Sequence, residues 1–279
     1  MNKFILTLSG VLFFISSFGQ TKVEKETATI VDEGRRLYRS EMASWYGTDL
    51  FLEKFKDKVE NIGGYFSYTE NDISKCIFFS KGEAPKVIGT ISFDSTYNVG
   101  TAKMDGSERE FTPIELELYQ LRTNAKAAIK GDTLFKYYEN TEYNFIPVVD
   151  NSERKVYVLT GPKNNGVVIF GNDYLLTFDK NCKLLQKKRL HQNIITINSP
   201  KGDTDLITMH SHLPETGDFI TSTDICTLML YEKLARWKQH IVISENYVCL
   251  WDCKTDQLAV LTKKAWDNIY KDSQKRHKN

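Results

Sequence analysis

Charge of one sign is what this sequence lacks most plainly. Its 37 Lys and Arg are set against 36 Asp and Glu, a formal net charge of +1. A chain so balanced builds no long-range field for nucleic acid or an anionic membrane, so neither is an expected partner. Also missing are a glycine-rich phosphate loop, a Gly-x-Ser-x-Gly elbow and a Cys–His pair with a local signature, which removes the common nucleotide and nucleophile motifs. Cysteine is sparse and odd in number: Cys76, Cys182, Cys226, Cys249 and Cys253. Their spacings fit no zinc ribbon. Cys249 and Cys253, four apart in or near one strand, are poorly placed to bridge each other, and the sequence leaves the others open.

Long apolar runs are missing too, with one exception at the start. Lys3 precedes the run Phe4–Phe18, and Ser17-Phe18-Gly19 gives the small-x-small pattern of a cleavage site before Gln20. Residues 1–19 therefore read as a secretory signal peptide, and the expected location is secreted or periplasmic. The alternative is a retained anchor, but the run is shorter than the ~20 apolar residues that cross a bilayer. No Cys follows the cleavage point to carry a lipid, and no integral membrane segment is expected after cleavage. The remaining chain is long enough to bury a core without staples.

Residues 20–30 are polar and read as flexible. A helix is expected over Asp32–Lys58, ended by Gly63-Gly64, followed by short strands at Tyr65–Tyr68, Cys76–Phe79 and Val87–Phe93. After a polar loop at 94–110, Thr112-Pro113-Ile114-Glu115 carries the capping residues of a helix reaching about Lys130. From Asn144 strands become dense: Phe145–Val149, Lys155–Thr160, Gly166–Phe170, Tyr174–Phe178, Leu184–Leu190, Ile194–Asn198 and Leu206–Met209. A helix at Thr223–Trp237, a hairpin of His240–Ser244 with Tyr247–Asp252, a strand Leu258–Thr262 and a helix Lys263–Asp272 complete the pattern. The basic tail Lys271–Asn279 reads as a solvated end. The expected fold class is α+β: an α/β sandwich over 145–270, preceded by a smaller α+β region over 30–130.

One constellation carries chemistry. His210 and His212 stand at i and i+2 on a strand end, so their imidazoles share a face. Asp224 lies twelve residues beyond His212, at a helix start, where its carboxylate can return to the same point. Two neutral nitrogens, a carboxylate and an open fourth position describe a catalytic zinc site, at which bound water becomes a nucleophile near neutral pH. The bland reading makes the His pair polar surface and Asp224 the third-residue partner of a Thr221 cap. His191 and His240 read as ordinary structural residues. The aromatic group Trp237, Trp251, Trp266, Tyr231, Tyr247 and Tyr270 reads as core and rim, with a substrate platform as the other possibility.

His210-Ser211-His212 followed by Thr221-Ser222-Thr223-Asp224 resembles the motif of the JAMM (MPN+) zinc metalloproteases, over roughly residues 145–265. The resemblance implies zinc held by His210, His212 and Asp224, with Thr221 in place of the Ser that steadies the oxyanion. It implies hydrolysis of peptide or isopeptide bonds in a peptide or protein substrate. The chain departs from the pattern at Leu213, which separates His212 from Pro214, and at Lys163, which stands where the family carries its basic Glu. A Lys cannot take a proton from metal-bound water at neutral pH. Glu60, in a Glu-x-x-Gly context entering a strand, is the first substitute for the base. Asp173 and Glu215 follow, the second in the metal loop itself. Thr112-Pro113-Ile114-Glu115 echoes Thr221-Ser222-Thr223-Asp224, which allows a faint internal duplication. Two functions therefore stand at this level: a secreted zinc-dependent amide hydrolase, or a non-catalytic exported metal-binding or interaction protein with a degenerate JAMM-like fold.

Overall fold

The computed structural model describes residues 21–150, 153–198 and 206–276, so the expected signal peptide lies outside the described residues. The chain is mixed α+β. Helix α1 runs from Lys22 to Lys54 and a short 3-10 turn covers Lys56–Asn61. A first antiparallel sheet of β1 (Ile62–Glu70), β2 (Ile73–Ser80), β3 (Val87–Phe93) and β4 (Lys103–Asp105) follows, in that order. After α2 (Pro113–Ile129) come β5 (Thr141–Asp150), β6 (Glu153–Pro162), β7 (Val167–Gly171), β8 (Tyr174–Phe178), β9 (Leu184–Arg189) and β10 (Ile194–Asn198). Strands β5-β6-β8-β9 form a second antiparallel sheet, and β10 pairs with β7 as a separate ribbon. The last sheet is β11 (Leu206–Ser211), β12 (Trp237–Ile243), β13 (Tyr247–Asp252) and β14 (Gln257–Thr262). Here β11 and β12 are parallel and joined through α3 (Ser222–Ala235); α4 (Lys263–Arg276) closes the described chain.

Helix α1 begins ten residues before the expected start. Thr21 and Glu24 form a capping box: the Thr21 hydroxyl accepts from the Glu24 N–H, and the Glu24 carboxylate accepts from the Thr21 N–H. Such a cap contributes about 1 kcal/mol and turns a polar stretch into a first helical turn. The buried face of α1 carries Gly34, Leu37, Ser40, Ala43, Gly47 and Leu50 at steps of three and four. Two of these positions have no room for a side chain. A Cβ on Gly34 would lie 2.7 Å from Ile225 Cβ, and one on Gly47 2.6 Å from Cys76 Cβ. The first contact sets α1 against the head of α3; the second sets it against β2.

The boundary near Asn144 is crossed by this packing. Ile30 and Val31 of α1 join the cluster of Ile220, Ile225, Leu228, Val242 and Trp251, while Ala43, Leu50 and Phe51 join that of Phe78, Ile88 and Ile91. All five cysteines are free and buried. No helix among the described residues is long and apolar enough to cross a membrane.

Candidate metal centre

Strand β11 points Thr208, His210 and His212 inward, while Ile207 and Met209 are exposed, the two-residue alternation of a pleated strand. The ladder to β12 extends past β11 through the His212 N–H, which donates to the Ile243 carbonyl at 2.9 Å. Both imidazoles therefore face the helix that connects these strands. At its head Thr221 is the N-cap of α3. The Thr221 N–H and hydroxyl donate to Asp224 Oδ2 at 2.9 and 2.8 Å, and the Asp224 N–H donates back to the Thr221 hydroxyl at 3.1 Å. The capping reading and the ligand reading of Asp224 hold together: the cap fixes Oδ2, and Oδ1 is left buried with no partner among the described residues.

A fourth residue completes the group. His191 follows β9, in the turn leading to β10, and its Nε2 lies 3.1 Å from His212 Nε2. The His210 and His212 Nε2 atoms are 3.0 Å apart. The Asp224 carboxylate stands 3.3 Å from His212 Nε2, 3.5 Å from His191 Nε2 and 3.7 Å from His210 Nε2. One ligand atom from each of His191, His210, His212 and Asp224 falls within 4.8 Å of the others. Four donors at metal bonds of about 2.0–2.1 Å in a tetrahedron are separated by about 3.3–3.4 Å, close to the edges seen here. The set is deeply enclosed, the four side chains being 9, 4, 0 and 1 % exposed.

The surrounding bonds orient the ring nitrogens inward. Asp173, in the turn between β7 and β8, places Oδ1 2.7 Å from His191 Nδ1; since a carboxylate only accepts, that nitrogen is the donor. His210 Nδ1 lies 2.8 Å from His240 Nε2, and His240 Nδ1 lies 2.7 Å from the Thr208 hydroxyl. The Asp173 bond leaves His191 Nε2 facing the centre, and the His210–His240–Thr208 chain, which can run in either direction, accommodates a His210 whose Nε2 lone pair also faces it. His212 Nδ1 has no partner among the described residues. Three imidazole Nε2 atoms and the Asp224 carboxylate thus meet in a buried space, with Asp224 Oδ1 left without a hydrogen-bond partner among the described residues. The donor set and the orphaned oxygen fit a divalent ion.

The electrostatics are those of opposed carboxylates and imidazoles out of water. Burial disfavours charge on His191, but Asp173 and Asp224 outweigh it and hold this imidazole well above its usual range. Burial alone would raise Asp224; the charges of His191 and His210 and its imidazole hydrogen bonds hold it well below the carboxylate range. His210 is driven down to about 4 by burial, against the pull of Asp224, and His240 to about 3 by burial and by His210.

Of the residues singled out from sequence, His210, His212 and Asp224 come together. Thr221 stands beside them, but its hydroxyl is engaged in the cap. Asp173 is present as the orienting partner of His191, behind the donor set. Glu60 is exposed at the end of the 3-10 turn that enters the first sheet, outside the group. Glu215 is exposed in the loop after His212, and Lys163 is exposed between β6 and β7; neither belongs to the group. His191 and His240, read as structural from sequence, are respectively a fourth donor and the support of His210. No local motif marks them, since the first lies two strands upstream and the second one strand downstream. One compositional signal existed: the chain has five His, and four of them are here. No family model matches the chain, and neither a curated protein nor a solved structure matches it.

Proposed function

We propose that this chain is an exported zinc-binding protein in which His191, His210, His212 and Asp224 hold the ion as a closed, structural site. The observation that carries the reading is the fourth donor. A catalytic zinc keeps three protein ligands and a position for water, whereas a structural zinc has all four positions filled by protein. Here His191 Nε2, 3.1 Å from His212 Nε2, stands where water would have to bind. Burial argues the same way, because a peptide has to reach a hydrolytic metal. Three imidazoles with one carboxylate suit zinc among the common divalent ions. Bound there, zinc would tie the turn before β10, the end of β11 and the head of α3, segments that share no continuous sheet.

The hydrolase resembling JAMM peptidases is the second reading, favoured by the convergence of His210, His212 and Asp224. It requires His191 to leave the ion and a carboxylate to act as base, and Glu60 and Glu215 stand outside the group. Metal analysis of protein purified without chelator, followed by cobalt substitution, separates the readings. The closed site predicts one zinc per chain and a four-coordinate cobalt spectrum that a small hydroxamate leaves unchanged. A spectrum altered by hydroxamate, with cleavage of a peptide or isopeptide library, would replace it with the hydrolase.

A further inference from the structure

A second site lies away from the histidines, in a cleft of about 610 Å³ between α1, β1, β5, the 161–167 loop and the C-terminal half of α3. Its walls bring together three carboxylates and three aromatic rings. Glu41 and Asp49 come from α1 and Glu142 from β5; Trp45 comes from α1, Tyr65 from β1 and Tyr231 from α3. Among the described residues no Lys, Arg or His lines the cleft. In a chain whose total charge is +1, a lining with three acids and no base is a local departure with a direction.

The rings are arranged for use. The Trp45 and Tyr231 centroids are 5.7 Å apart with planes inclined at 48°, an open wedge rather than a stack. Trp45 is 41 % exposed despite its size, and Leu234 on the same rim is 64 % exposed. Large apolar side chains left open around a concave, polar-floored space mark a ligand site more often than a fold requirement. Glu41 lines the cleft with these rings: burial raises the phenols of Tyr65 and Tyr231 to about 12, and the charge of Glu41 adds to the shift. Its one side-chain hydrogen bond among the described residues comes from Asn144 Nδ2 at 3.1 Å, a neutral donor, so this partly buried carboxylate has no cationic partner. Ring faces carry negative potential and hold a cation within about 6 Å of the centroid. Glu41 lines the same cleft as this wedge and supplies a negative charge for such a cation.

We propose that this cleft binds a small organic ammonium ion, the cation lying against Trp45 and Tyr231 with Glu41 as its counter-ion. The volume falls in the range of small-molecule sites, about 300–1,000 Å³. The rings select for an alkyl or aryl ammonium over a hydrated metal ion, which would keep its water and gain little from them. The site uses none of the residues of the metal centre, so the two assignments stand or fall separately.

The test is calorimetric titration of the whole chain with benzylamine, cationic at neutral pH, and with benzyl alcohol, its neutral counterpart of similar shape. Benzylamine should bind and benzyl alcohol, which lacks the charge, should bind at least tenfold more weakly. Glu41→Gln keeps the shape and can still accept from Asn144; it should weaken benzylamine by about tenfold or more. Trp45→Ala, at an exposed position, should weaken it by roughly three- to tenfold. Melting temperatures no lower than wild type for both variants would show that loss of folding is not the cause. Equal affinity for amine and alcohol, no binding of either, or unaltered binding by both variants overturns the proposal. Tighter binding of a blocked Gly-Lys-Gly peptide than of benzylamine overturns its assignment to a small molecule.

Discussion

Asp173 Oδ1 accepts the Nδ1–H of His191 at 2.7 Å, and that bond decides which nitrogen His191 turns toward His212. The carboxylate comes from the turn between β7 and β8 and the imidazole from the turn between β9 and β10. These turns are laced together by the Leu190 N–H donating to the Asp173 carbonyl at 2.9 Å and the Asn172 N–H to the Asn193 carbonyl at 3.2 Å. Partners of this kind fix the tautomer of a ligating His, and losing one typically lowers metal affinity about 10–100-fold. Asp173→Asn should therefore weaken zinc within that range, and His191→Ala should weaken it further. Competition against a chelating dye measures both. Wild-type affinity in His191→Ala would remove His191 from the donor set and reopen the three-ligand site.

If zinc fills the proposed site, removing it should loosen the segments it joins. A ligand that binds only the folded state, at a hundredfold excess over its dissociation constant, stabilises it by about 2.7 kcal/mol. For a chain of this size that corresponds to roughly 5–10 °C in melting temperature. Wild-type protein treated with chelator should melt lower by that amount and recover on adding zinc, whereas His212→Ala should respond to neither. A melting curve indifferent to chelator and zinc would contradict a structural role.

Three of the four donors were legible in the sequence, and the reason lies in spacing. His210 and His212 share a strand face, and Asp224 caps the next helix, so two local rules, the strand period and the capping box, brought three residues to one point. His191 reaches the same point only because two turns from different strand pairs meet, a long-range contact with no periodic signature. Most helices and strands were legible for the same local reasons, including the hairpin of β12 and β13, but β4 lies within the expected loop at 94–110, and Gly63-Gly64, expected to end the first helix, lie in β1. What the patterns hid was α1: its first turn depends on Thr21 and Glu24, and its small-residue face, read as one more amphipathic helix, lies against both β2 and α3. The expected division into an N-terminal region and a C-terminal domain rested on a change in strand density; no sheet crosses that boundary, and α1 packs on both sides of it.

That packing gives a remote handle on the metal. Gly34→Ala adds a Cβ 2.7 Å from Ile225 Cβ and 3.0 Å from the Ser222 carbonyl, both at the head of α3 next to Asp224. Overpacking of this sort costs about 1–3 kcal/mol, and relief by moving α3 would carry Asp224 away from the imidazoles. The variant should be less stable by that amount in denaturant and should hold zinc more weakly, although it alters no ligand. Gly131→Ala, at a position with open space, serves as the control for handling, though its positive φ of 74° adds local strain of its own. Lost stability with undiminished zinc affinity would show that α1 does not position the site.

The carboxyl of Glu41 gives the chain a pH dependence whose sign follows from its surroundings. Burial raises it from the ordinary carboxylate value to about 7, and the Asn144 hydrogen bond only partly opposes this. Tyr65 from β1, Tyr231 and Cys226 from α3, and Cys76 from β2 all feel its charge; none is ionised near neutrality, and Arg122 from α2 lines the small neighbouring cavity. In the unfolded chain the group titrates near 4.5, so below that pH it is protonated in both states and contributes its full share of stability. As pH rises from about 4.5 through about 7, the unfolded form ionises first, and the stabilisation is lost. Glu41→Gln cannot ionise and lacks this slope, while every other titrating group is common to both proteins and cancels in their difference. Urea unfolding of the two near pH 5 and near pH 8 should therefore show Glu41→Gln gaining on wild type at the higher pH, by up to about 3 kcal/mol. An unchanged difference would mean that Glu41 ionises as freely in the folded chain as in the unfolded one. A shift of opposite sign would mean that a cation already balances it there.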